Sequence, residues 1–166
     1  MDNYICKIAT LEEMNEKWDY EIERADKDKE NWIIWKQNAI DRVINKTAIS
    51  YYGILNDKII CEATASFDSS VIQNAEGLVD KETAYLSAFR TIKEYQGQGY
   101  FSKLFRFMIQ DLKNKGYKKV TLGVETTEIK NKQIYNKYGF NNYIKADKET
   151  YPDGHEIEVE YYSKQL

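Results

Sequence analysis

Two cysteines, one histidine and one proline are all that this 166-residue chain has of three residue types that often organise a site or a fold. Cys6 and Cys61 each lie inside an apolar stretch that reads as a strand, so both are expected to be buried, reduced thiols. Their number and spacing exclude a disulfide framework, and no metal site is expected. His155 falls beside Pro152-Asp153-Gly154, a turn sequence, and reads as a surface residue of that turn despite histidine's suitability as a base. No apolar run approaches the roughly 20 residues needed to span a bilayer. Met1 to Thr10 lacks the charged and apolar regions of a signal peptide, so a soluble, cytoplasmic protein with no membrane partner is expected. An excess of basic charge is also missing. Lys and Arg number 24 against 27 Asp and Glu, a net charge of -3 that argues against nucleic acid as a partner and suits a cationic acceptor better.

What is present points to one globular domain over residues 1–166. Hydrophobic residues make up 42% and charged residues 31%, a balance that supports a core and argues against disorder. A short strand is predicted at residues 4–8. Thr10 and Glu13 then form a capping box for a helix whose Leu11, Met14, Trp18, Ile22 and Ala25 share a face. The charged stretch 26–30 interrupts it. A second helix follows from Asn31, with Trp32, Trp35, Ala39, Ile40, Val43 and Ile44 on one side. The tryptophans read mainly as core, although one can line an acceptor pocket.

Residues 47–55 and 58–67 read as antiparallel strands joined by an Asn56-Asp57 hairpin turn. Residues 68–83 show little periodicity and read as a surface loop, and 84–92 as another strand. A helix from Gly99 buries Phe101, Leu104, Phe105, Met108 and Leu112 and ends near Gly116. Strands at 120–124, 143–146 and 157–162 and a helix at 129–138 complete a mixed α/β domain, mostly antiparallel, with one strand-helix-strand crossover at its centre.

The strongest chemical signal is Tyr95-Gln96-Gly97-Gln98-Gly99-Tyr100, between the fourth strand and the third helix. Two glycines let a ligand approach backbone N–H groups, and the positive end of the helix dipole suits a phosphate. No acid occurs between Gln96 and Gln110, where helix starts ordinarily favour one, while Lys103 and Arg106 are basic. A Rossmann site fits poorly because its third glycine would be Ser102. The absence of Gly-Lys-Ser or Gly-Lys-Thr excludes a P-loop.

Gln96-Gly97-Gln98-Gly99-Tyr100-Phe101 resembles the Gln/Arg-x-x-Gly-x-Gly/Ala signature of the GCN5-related N-acetyltransferase (GNAT) superfamily, with Phe101 in place of the small final residue. Ile134-Tyr135-Asn136-Lys137-Tyr138-Gly139-Phe140 is similar to that family's second motif, Leu-Tyr-x-x-x-Gly-Phe. The resemblance implies a mostly antiparallel central sheet of six or seven strands, flanked by about four helices and splayed in a V at the cofactor site. It implies acetyl-CoA as cofactor, with Phe89, Arg90 and Thr91 along the pantetheine arm. Gln96, Gly97, Gln98, Gly99, Tyr100, Phe101 and Ser102 would hold the pyrophosphate, and Asn131 would reach the cofactor from the fourth helix. It further implies transfer of an acetyl group to a primary amine of a small molecule or peptide, in a ternary complex. A non-catalytic acyl-CoA-binding or regulatory module is the alternative, raised by Phe101, Gly123 and Glu128. The oligomeric state stays open, a homodimer included.

By the same resemblance Tyr135 is the general acid, directed at the CoA sulfur, and a backbone N–H near Thr91 the oxyanion donor. The family's glutamate position falls at Gly123. Glu125, two residues on along the same strand face, and Glu62 are the candidate bases, each also readable as a plain surface or edge carboxylate, and water-relayed deprotonation without a dedicated residue stays open. Glu156, Glu158 and Glu160 share one face of the last strand, either solvated or beside the acceptor cleft.

Overall fold

Strand β1 (Tyr4–Ile8) runs into Thr10, whose hydroxyl accepts from the Glu13 amide while the Glu13 carboxylate accepts from the Thr10 amide. That capping box opens α1 (Leu11–Arg24), as the sequence predicts. Only residues 25–28 separate it from α2 (Lys29–Ile44), so Lys29 and Glu30 belong to the helix and not to the interruption. These contacts come from a computed structural model that describes residues 2–166. Strands β2 (Ala48–Leu55) and β3 (Lys58–Ser66) follow, joined at Asn56 and Asp57, whose φ angles of 48° and 68° are those of the twisted two-residue turn that hairpins favour. Then come β4 (Thr83–Thr91), α3 (Tyr100–Asn114), β5 (Lys119–Glu125), α4 (Ile129–Lys137), β6 (Asn142–Thr150) and β7 (Glu156–Gln165).

Among the described residues, the strands form one seven-stranded sheet in the order β1-β2-β3-β4-β5-β7-β6. The β4–β5 pair, joined through α3, is parallel and the others are antiparallel. The two faces are covered differently. Tyr51 points to the face where Leu104, Met108 and Leu112 of α3 are fully buried. Its neighbour Tyr52 points to the face where Met14 and Trp18 of α1 pack, with Trp32 and Trp35 of α2 against them. The alternation of one strand thus separates the helices into two layers.

The start of α2 also reaches across to the β6–β7 turn. The buried Asn31 side chain donates to Asp153 Oδ2 at 3.0 Å and accepts from the Asp153 amide at 3.1 Å, and the Trp35 ring meets Tyr151 edge-on at 5.1 Å. His155 sits in this turn, half-exposed, with Nδ1 2.6 Å from Asp153 Oδ1, in keeping with its surface assignment.

Three expectations need correction. Residues 68–83 are more than a surface loop: Leu78 is fully buried against Val159 and Tyr161, and Lys145 Nζ donates to the carbonyls of Asn74 and Glu76. Periodicity fails there because the segment is pinned side chain by side chain and not by a repeating ladder. Ile44, expected on the buried face of α2, is 57% exposed at the helix end. Strands β6 and β7 are longer than their apolar stretches, since backbone pairing from Asn142↔Ser163 to Thr150↔Glu156 extends over polar residues.

Candidate active site

The sheet opens at its centre. Strands β4 and β5 pair from Thr83↔Lys119 to Leu86↔Leu122 and then part, although β4 continues to Thr91 and β5 to Glu125. A bulge accompanies the divergence. On β3 the register advances from Glu62 to Thr64 while β4 passes from Arg90 to Ser87, so β4 carries an extra residue, and Ala88 takes a φ of 57°. Such a bulge bends its strand and re-aims the side chains beyond it.

Two cavities flank the gap. One, of about 550 Å³, lies on the α3 face between Phe89–Thr91, the start of α3 and the Lys130–Tyr138 side of α4. The other, of about 190 Å³, lies on the opposite face between Tyr85, Ser87, Gly123, Glu125, Glu149 and Val159. Phe89 and Tyr135 line both. Their rings stand edge to face at 5.7 Å, and burial, reinforced by the charge of Glu128, raises the Tyr135 phenol above its ordinary pKa.

The larger cavity gathers most of the residues that the two motifs nominate. Gly97 and Gly99 have φ of 73° and 86°, and a Cβ on either would meet no protein atom within 4 Å. Both lie on its wall with Gln96, Tyr100, Phe101 and Ser102. Gly99 caps α3 without any side-chain acceptor, so the first amides of the helix are left for another partner. Gln96 fixes the turn by donating to the Thr91 carbonyl at 3.0 Å. Phe101 does not obstruct the turn, because its ring packs into an aromatic cluster with Phe89 at 5.0 Å and Tyr138 at 6.0 Å.

Some nominated residues stand elsewhere. Gln98 is outside the cavity wall, its amide turned back to the Glu94 carbonyl at 2.9 Å. Arg90 contributes to that wall, but its guanidinium crosses to the α1/α2 face, pairing with Glu62 at 2.9 Å and lying over the rings of Trp18 and Trp32. Lys103 lies over the Tyr4 ring, and Lys130, which the motifs do not mark, joins Arg90 on the cavity wall. Asn131 lines the cavity and donates to Glu128 Oε2 at 3.1 Å, while Glu128 itself is exposed and off the cavity wall.

The candidate bases separate clearly. Glu125 lines the smaller cavity with Tyr135. Glu62 lines neither: it is buried beneath α1, its carboxylate held by Arg90 and by Lys17 at 3.5 Å, so it is a structural counter-ion. The Glu156, Glu158 and Glu160 row is not beside the smaller cavity either. Glu160 pairs with Lys132 of α4 at 2.9 Å, and it is Ile157 and Val159, on the other side of β7, that line the cavity.

The carboxylate that sequence reasoning missed is Glu149 on β6. Its Oε2 accepts from Tyr161 at 2.6 Å, and burial outweighs that hydrogen bond to raise its pKa above the usual glutamate value. With β6 read as ending at Ala146, Glu149 fell outside any strand. Extending the hairpin symmetrically about Pro152-Asp153-Gly154 would have placed it opposite Ile157.

Residues 9–140 match the model of the acetyltransferase (GNAT) family. The chain belongs to the GNAT acetyltransferase family. Its fold is shared with a GNAT family acetyltransferase from Elizabethkingia anophelis solved with acetyl-CoA bound (20% identity, TM-score 0.65, all of both chains covered). It is shared as well with the ribosomal-protein-S18-alanine N-acetyltransferase of Escherichia coli (15% identity, TM-score 0.69, 99% of this chain and 94% of that one). A GNAT family acetyltransferase from Streptococcus pneumoniae is similar at 17% identity and TM-score 0.67, over 99% of this chain and all of the other. No curated protein matches the chain by sequence. The mixed, mostly antiparallel sheet and the four α-helices of this GNAT chain agree with the fold that its two motifs implied.

Proposed function

We propose that this single GNAT domain transfers the acetyl group of acetyl-CoA to a primary amine of a small molecule or peptide, by direct attack while both are bound. The observation that carries this reading is the pair of cavities on opposite faces of the sheet, which share Phe89 and Tyr135 where β4 and β5 part. A donor and an acceptor can each occupy one face and meet in the gap.

The larger cavity fits the cofactor. Gly97, Gly99 and the uncapped start of α3 offer backbone donors to a diphosphate, with Lys130 and Asn131 facing them from α4. Phe89 and Thr91 on the freed edge of β4 would lie along the pantetheine arm, the latter offering a backbone donor to a carbonyl oxygen. Bound there, acetyl-CoA supplies an activated acetyl thioester. Tyr135, like any phenol, carries its proton at neutral pH, and burial raises its pKa further, so the hydroxyl is available to protonate a departing thiolate. Phe101 and Glu128, which raised the alternative of a non-catalytic module, do not close the cavity: the Phe101 ring packs on Phe89 as part of its wall, and Glu128 is exposed and off the wall.

Calorimetry with acetyl-CoA, followed by release of free CoA thiol with a panel of primary amines, tests the reading. Binding with turnover supports it. Binding without turnover for any amine favours the non-catalytic module, and no binding at millimolar acetyl-CoA removes both. Gly99→Val is expected to weaken acetyl-CoA binding about tenfold or more, because a β-branched residue resists the φ of 86° and its side chain would project where the ligand approaches. An unchanged dissociation constant in a folded Gly99→Val protein would place the diphosphate elsewhere.

A further inference from the structure

We propose that Glu149 is the proton acceptor for the incoming amine, taking a proton from the substrate ammonium in the smaller cavity so that nitrogen reaches the gap between β4 and β5 uncharged. The inference rests on the acetyl-transfer reading and adds to it the residue that neither motif marks.

Position comes first. Glu149 and Tyr135 line the same cavity, one from β6 and one from α4, so a substrate nitrogen held in it has both the carboxylate and the phenol on its walls. Gly123 of β5 lines the cavity as well and cannot carry a side chain, since a Cβ there would stand 2.7 Å from Val159 Cγ1 and 2.9 Å from Tyr161 Cε1. The ring that fills this space is the one that holds Glu149. Asn74 Nδ2 donates to Tyr161 Oη at 3.1 Å, and Tyr161 Oη donates to Glu149 Oε2 at 2.6 Å. With Oε2 fixed, Oε1 is left for the cavity. Glu125, the other carboxylate on this wall, has no comparable side-chain hydrogen bond among the described residues.

The surroundings set the carboxylate's basicity. Tyr85 of β4, Tyr135 of α4 and Glu125 of β5 share the cavity with it, Tyr161 of β7 is hydrogen-bonded to it, Tyr151 past the end of β6 lies within reach of its charge, and Lys145 and Asp147 lie further along β6 beside Tyr161. Lys145 is committed to the carbonyls of Asn74 and Glu76, and its cation sits over the Tyr161 ring and not against the carboxylate. Burial dominates, and it makes Glu149 a stronger base than a surface glutamate.

The step is a simple transfer. An N–H bond of the ammonium breaks with its electron pair remaining on nitrogen, and an O–H bond forms on Glu149. The carboxylate becomes a neutral acid and the ammonium a neutral amine, and the proton later leaves to solvent through the cavity mouth.

The first test needs no acceptor. Carboxyl-carbon NMR of glutamate-labelled protein, with the Glu149 resonance assigned by its loss in Glu149→Gln, should show this group titrating above the surface glutamates. Tyr161→Phe should move it higher, because the lost hydrogen bond favours the charged form. Titration together with the surface glutamates overturns the proposal.

The second test uses acetyl-CoA with spermidine and with an alanine-initiated tripeptide. The wild-type kcat/KM should rise as pH rises through the Glu149 pKa and then level off below the amine's own pKa. Glu149→Gln should fall about 10²-fold near neutral pH and climb with unit slope as free amine appears, the size and form expected for losing a general base. Glu125→Gln should keep the acid limb. If wild type and Glu149→Gln share one pH profile, Glu149 is not the acceptor and acetyl transfer stands. If acetyl-CoA does not bind at all, both readings fall. Should neither amine turn over, the NMR result decides.

Discussion

Tyr135→Phe is expected to lower turnover about 10²-fold or more while leaving the dissociation constant for acetyl-CoA within a factor of about two. The substitution removes one hydroxyl and keeps the ring that stands edge-on to Phe89, so the wall common to both cavities survives. Its effect should fall on kcat and not on binding, because the phenol's proton is needed only when charge develops on the leaving sulfur. A phenol is protonated across neutral pH and burial shifts Tyr135 further the same way, so the ratio of wild-type to variant turnover should stay flat there. Steady-state kinetics with calorimetry on the same preparations measures both quantities. Equal turnover in the two proteins would take Tyr135 out of the chemistry.

Glu62→Ala is expected to destabilise the protein by about 3 kcal/mol, the scale for leaving a buried ion pair with one side missing. Glu62 holds Arg90 at 2.9 Å and Lys17 at 3.5 Å, and Lys17 is only 3% exposed, so that ammonium would remain buried with Glu21 as its nearest counter-charge. For a chain of this length the loss corresponds to a fall of roughly 6–12 °C in Tm. Because the pair is screened by protein and not by water, the loss should persist at high salt. Denaturant unfolding of wild type and variant at two ionic strengths checks it, and a difference under about 0.5 kcal/mol would mean that the cluster contributes little. The same variant separates structure from catalysis, since its remaining folded fraction should retain the acid limb of the pH profile.

Local chemistry made much of this molecule readable. Thr10 with Glu13, Asn56-Asp57 and Gly97 with Gly99 each encode a backbone geometry within four residues, and each appears where it was expected. Leu104, Met108 and Leu112 recur at helical spacing because one face of α3 is buried along its whole length. Tyr135 was legible because a motif surrounds it.

Glu149 was not, and the reason is tertiary. Its strand is polar, so no alternation of apolar residues marks it, and its place on the cavity wall depends on pairing with β7, which in turn depends on β5. Glu62 was misread for a related cause: a carboxylate on an inner strand looks the same in sequence whether it faces a cavity or two cations from other elements. The Glu156, Glu158 and Glu160 row shares one face, as its period says, and of the two readings left open the structure agrees with the solvated one, since period alone does not say which face of a strand meets the cleft.

The bridge between Asn31 and Asp153, with Trp35 against Tyr151, joins the front of the chain to its last hairpin across 122 positions. The Gly97–Gly99 turn and the first amides of α3 take no part in it. A change in either half of that clasp would therefore loosen the seat of α2 on the last hairpin and leave the geometry of the glycine turn as it is.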